Sequence, residues 1–175
     1  AAATVALLMT SALGMSACSS ELVAQSGSSS AQSAANLDHE RISSVLETVG
    51  GVMATADASL NAADLGDQVT KGALEMRTAQ YALVNANGQA LPPLDFEPTS
   101  LAITNSDSWP RAIFNISSTS STALPVLEVY VQDSARSDYK LTNYARLLGG
   151  TQLTLPSVGT GSAYVTGDSQ GFTLT

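Results

Sequence analysis

Two hydrophobic periods divide the chain. Between Leu37 and about Val84 apolar residues recur at helical spacing, and beyond Pro98 they alternate with polar ones. Asp38 is placed to cap a helix whose stripe is Ile42, Val45, Leu46, Val49, Val52, Met53 and Ala56. Gly50-Gly51 lies inside that stripe and should weaken it by roughly 1 kcal/mol per glycine unless a neighbour packs close there. Asn61 is a second cap, for a short helix running through Ala62, Ala63, Asp64, Leu65 and Val69. A third helix is expected from Lys71 to Val84, with Leu74, Arg77, Tyr81 and Val84 on one face and Met76, Ala79 and Leu83 on an adjoining one. Asn87-Gly88 then supplies a turn.

Pro92-Pro93 and Pro98 break the helical pattern, and short strands follow. Leu101–Thr104 and Arg111–Ser118 are the first two, separated from Val126–Gln132 by a polar hairpin loop at Ser117–Thr122. After a turn at Ser134–Ser137, Tyr139–Leu148 returns as a partner strand, and two strand-like pieces lie near Leu153 and Tyr164. Phe114 and Ile116 alternate with Asn115 and Ser117, and Leu127, Val129 and Val131 with Glu128 and Gln132. The more apolar set on each strand is expected to face the helices, leaving Glu128 in solvent. Helices first and antiparallel strands second predict an α+β domain, its N-terminal helices packed on a curved antiparallel sheet.

The segment before this domain has a different chemistry. Ala1–Ala17 is uncharged, rich in Ala and Leu, and closes on small residues directly before Cys18, as a signal peptide does. It falls short of the roughly 20 apolar residues of a membrane span. Met15-Ser16-Ala17-Cys18 resembles the bacterial lipobox, with Met where Leu is usual. The resemblance implies a diacylglycerol on the Cys18 sulfur and cleavage that makes Cys18 the first mature residue. Cys18 is the only cysteine, so the mature domain has neither a disulfide nor a thiolate metal ligand. Each buried acyl CH2 adds about 0.8 kcal/mol of membrane affinity, so two chains anchor stably. Because the chain starts without Met or a basic run, some residues are expected to precede Ala1. Ser19–Asn36 is a Ser/Ala/Gln/Gly tract with little to bury, read together with Cys18 as a disordered tether over 18–36 ahead of the 37–175 domain.

Charge removes one class of function. Lys+Arg total 7 against Asp+Glu 15, a formal charge of -8, and the basic residues are scattered singly, which excludes nucleic acid as a partner and gives no polybasic membrane patch. The chain is 44% hydrophobic but 5% aromatic, so the core should be built mainly from Leu, Val and Ile.

GALEMRTAQYAL, SWPRAIFNIS and LEVYVQDSARSDYKLTNYARLL, in that order over Leu37–Ser157, resemble uncharacterised exported lipoprotein domains of actinobacteria. Their layout is similar to the cystatin-like roll of nuclear transport factor 2. The resemblance implies that roll and no enzymatic activity. It also implies a second half beyond Thr175.

Candidate chemistry is sparse. His39 is the only histidine and sits beside the Asp38 cap, where solvent exposure is expected. A histidine metal cluster is impossible, and a Ser-His-Asp triad would have to use His39 alone. Gly27-Ser28 falls in the tether, and Gly159-Thr160-Gly161 lacks the following helix and Lys of a phosphate loop. Asp57, Asp64, Asp67, Glu75 and Glu128 read as solvated carboxylates without the alternating spacing of a calcium loop. Arg77 and Tyr81, one helical turn apart, could form a pocket wall or a packed core edge. Trp109, before Pro110-Arg111, could be a ligand contact or strand-entry packing. No cofactor is indicated. The expected function is a non-catalytic binding or structural module, held by the lipid on Cys18 at the extracytoplasmic face of the cell membrane and facing an unknown protein or cell-envelope ligand. The alternative is a small hydrolase- or isomerase-like roll with a carboxylate base in a pocket.

Overall fold

The computed structural model describes residues 37–117, 124–151 and 153–162. The signal peptide and tether expected over 1–36, the hairpin loop over 118–123 and the strand-like piece at Tyr164 lie outside them. Asp38 accepts the Arg41 N–H at 2.9 Å and opens helix α1, His39–Ser59. Its buried stripe is Ile42, Leu46, Val49, Met53 and Ala56, with Val45 and Val52 at the margins. The helix runs unbroken through Gly50-Gly51. A Cβ on Gly50 would meet the Phe96 ring at 3.2 Å, so this glycine lets the segment before the sheet lie against the helix. Asn61 caps a 3₁₀ turn, Ala62–Leu65, by accepting the Ala63 N–H at 3.1 Å. Helix α2, Lys71–Asn87, ends at Gly88, whose φ of 63° permits the left-handed cap and a 2.8 Å bond from its N–H to Val84 O. Ala73, Arg77 and Tyr81 form its buried line. The adjoining apolar face expected from the sequence stays in solvent, with Met76 44% and Leu83 49% exposed.

Strands β1 (Pro98–Ile103), β2 (Arg111–Ser117), β3 (Val126–Gln132) and β4 (Lys140–Arg146) form a four-stranded meander in that order, every neighbour antiparallel. The domain is α+β. Phe114 pairs with Val129 and Asn115 with Glu128, while the register of β4 shifts between Val129 and Tyr130. Segment 68–70 adds a parallel bridge to the β4 edge: Leu141 N–H donates to Gln68 O and Thr70 N–H to Leu141 O, both at 2.9 Å. Leu153 belongs to no strand, contrary to the expectation. The chain returns to the sheet at Ser162, which bridges Thr104 beyond β1.

The core corrects the expected strand faces. Ile103, Ile113, Val126, Tyr130, Leu141 and Tyr144 are buried in one cluster with the α1 stripe, and strand alternation puts Asn115, Ser117 and Glu128 on the same side, each fully buried. Phe114, Ile116, Leu127, Val129 and Val131, expected inside, lie on the opposite face and remain partly exposed. Both faces are apolar enough to be buried. Tyr130 and Ile113, both 0% exposed, join the α1 stripe in the core, and the bonds from Asn115 and Tyr130 to Glu128 offset part of the cost of enclosing the polar residues between them.

Candidate functional site

Arg77 and Tyr81 do meet on one face of α2, and both are buried. Two guanidinium nitrogens grip the Asp57 carboxylate on α1 as a paired fork, one of them at 2.8 Å from Oδ1. Arg77 Nη1 also donates to Gln80 Oε1 at 2.8 Å and to Pro92 O at 3.0 Å. The Tyr81 hydroxyl donates to Asp57 Oδ1 at 2.6 Å, and Tyr144 on β4 donates to Gln80 Oε1 at 3.0 Å. Burial pushes the Arg77 pKa down, but the Asp57 hydrogen bond and charge outweigh it and hold the group above its ordinary value. Burial, then the Asp57 contact, raises the Tyr81 hydroxyl. Arg77, Tyr81 and Asp57 therefore have protein partners, tying α1, α2, β4 and the Pro92 segment together. Asp57, expected as a solvated carboxylate, is the anionic half of this clamp.

Trp109 precedes a cis Pro110 and is 38% exposed. Its indole N–H donates to Gln132 Oε1 at 3.3 Å, and the Arg111 guanidinium stacks 4.3 Å from its ring centroid. His39 is exposed on the first turn of α1, as are Asp64, Asp67 and Glu75 on or between the helices. Asp64 accepts a 2.6 Å bond from Ser59.

Glu128 overturns its solvated reading. Its side chain is 0% exposed, and Oε2 accepts from Asn115 Nδ2 at 2.9 Å and from the Tyr130 hydroxyl at 2.7 Å. Glu128 Oε1, Asn115 Oδ1 and Ser117 Oγ are buried without a hydrogen-bond partner. Burial pushes the Glu128 carboxyl up to about 7; the Tyr130 and Asn115 bonds pull it back, and the charge of Asp95 adds to the rise. Tyr130 is raised in turn by burial and by the adjacent carboxylate. Sequence spacing concealed this cluster, since Asn115 and Glu128 are brought together by strand register alone.

A separate groove opens where the first turns of α1 meet the β3–β4 connection, with a cavity volume of about 390 Å³. Arg41, Ser44, Val45 and Thr48 form the helical wall, and Gln132, Ser137, Asp138 and Tyr139 the opposite one. Gln68 joins them because the bridge to Leu141 fixes its backbone on the sheet edge. Gln132 is held in place by donating to Ser137 O at 2.8 Å while accepting from Trp109. Trp109 thus positions one wall of the groove through Gln132. Among the described residues, the Arg41 guanidinium, the Asp138 carboxylate and the Gln68 side-chain amide have no hydrogen bond or ion pair to the protein. None of the three stood out in the sequence, because each is an ordinary polar residue on a different element.

Among the described residues no group of three or more His, Cys, Asp and Glu could hold a metal ion, and no helix is long and apolar enough to cross a membrane. No family model, no curated protein and no solved structure matches the chain.

Proposed function

We propose that this protein is a lipid-anchored, non-catalytic binding module of the cell envelope that takes its ligand in the groove between α1 and the β3–β4 connection. The observation that carries this reading is the division of polar groups between groove and interior. The groove offers Arg41, Asp138 and Gln68, unpaired among the described residues, around a volume within the range of small-ligand sites, roughly 300–1,000 Å³. The carboxylate best tuned to act as a base, Glu128, is 0% exposed and lines none of the grooves described among these residues. A general base must come within hydrogen-bond reach of the proton it removes. The anchor rests on the lipobox-like Met15-Ser16-Ala17-Cys18.

Photo-crosslinking in cells tests the groove. A photoreactive residue in place of Ser44 should trap a ligand detectable as an intact-mass increment, whereas one at exposed Ala54, outside the groove, should not. Equal trapping at both positions, or none at Ser44, refutes the reading. The carboxylate-base alternative keeps one specific support, the Glu128 pKa of about 7. It requires the elements that enclose Glu128 to part before substrate could reach Oε1, and turnover of any substrate that Glu128→Gln abolishes would establish it.

A further inference from the structure

Resting on the groove reading, we infer that the ligand class is a short peptide with both termini charged and at least one apolar side chain. The inference comes from what the groove leaves unpaired and where. Its two charged residues are Arg41 on the helical wall and Asp138 on the opposite wall, and they are not within ion-pair distance of each other. The pair sums to zero on a chain whose formal charge is -8. A monoanion would gain Arg41 but meet Asp138 and the negative field of the whole protein; a cation would gain the field but meet Arg41. A zwitterion satisfies both walls, its carboxylate accepting from the guanidinium fork and its ammonium donating to the Asp138 carboxylate.

Two further features select a peptide among zwitterions. The Gln68 side chain presents one amide donor face and one acceptor, which is the complement of a peptide group, and its backbone carbonyl is held by the Leu141 N–H, with a second bond from Thr70 N–H to Leu141 O fixing the segment beside it. Leu37, Val45 and Tyr139 contribute the apolar part of the lining, where an aliphatic side chain between the charged ends would be desolvated. Both termini must be free for this match. Capping either end deletes one charge and leaves its protein partner facing a neutral group.

The probe is the tripeptide Ala-Leu-Ala with free termini, compared with its N-acetylated, C-amidated form, in an amide chemical-shift titration of the full chain carrying Cys18→Ser. The free peptide should shift Arg41, Gln68 and Asp138 and bind about tenfold more tightly than the capped one. Arg41→Gln and Asp138→Asn should each weaken it by about fivefold, as expected for a partly solvated charge contact. Both positions are exposed, so the thermal midpoint should not move. Equal binding of both peptides in the groove overturns the zwitterion and leaves the groove standing. Shifts confined to other surfaces, or none from either peptide, overturn the peptide inference, while the groove reading stands or falls by the Ser44 crosslink.

Discussion

Replacing Glu128 by Gln should stabilise the protein at neutral pH and flatten its stability profile. The carboxyl titrates at about 7 in the folded chain against an ordinary value of 4.5. Between those values the folded state binds a proton that the unfolded state has released, so stability falls as pH rises through the window. It is fully present below about 4.5 and lost by a little above 7. The difference corresponds to about 3 kcal/mol at 1.36 kcal/mol per unit. Glu128 is 0% exposed, so solvent screening leaves most of this in place. Gln keeps an oxygen to accept from Asn115 and Tyr130, carries no charge, and brings an NH2 to a region where Asn115 Oδ1 lacks a donor. Urea unfolding of the full chain with Cys18→Ser, followed from pH 4 to 8 with and without the substitution, measures the difference. Other groups cancel when one profile is subtracted from the other. A wild-type profile parallel to that of Glu128→Gln would refute the assignment of a buried, raised carboxyl.

Asp57→Asn should destabilise by on the order of 3 kcal/mol in thermal or urea unfolding, because it leaves the fully buried Arg77 charge uncompensated. Tyr130→Phe removes a donor to Glu128, so its pH-dependent loss of stability should extend to higher pH, measured by the same urea series. Leu46→Ala, in the core at 2% exposure, should cost about 2–5 kcal/mol, whereas Val129→Ala on the outer sheet face should cost under about 1.5. A larger loss at Val129 than at Leu46 would show that the outer face is the packed one.

Element types and most boundaries were legible because local signals agreed: the Asp38 and Asn61 caps, the Gly88 terminator, and the switch from helical to alternating period after Pro98. Which face of β2 and β3 turns inward was not. Phe114, Ile116, Leu127, Val129 and Val131 outrank Asn115, Ser117 and Glu128 in hydrophobicity, and alternation alone assigns the richer face to the core. The inner face also carries Ile113, Val126 and Tyr130, and the Tyr130 and Asn115 donors offset the cost of enclosing Glu128. Arg77 and Tyr81 were legible as neighbours, but not Asp57, which joins them from α1 with no fixed spacing in sequence. The groove was the least legible, since Arg41, Gln68 and Asp138 become neighbours only when segment 68–70 bridges β4.

The tethered-module account depends on Cys18, and intact mass spectrometry of the protein from a bacterial host that processes lipoproteins tests it most directly. The expected species is found in the membrane fraction, begins at Cys18, and is heavier than the mature polypeptide by a diacylglycerol; Cys18→Ala should abolish that increment. A chain that retains residues 1–17 and an unmodified Cys18 thiol in the membrane-free fraction would contradict the account.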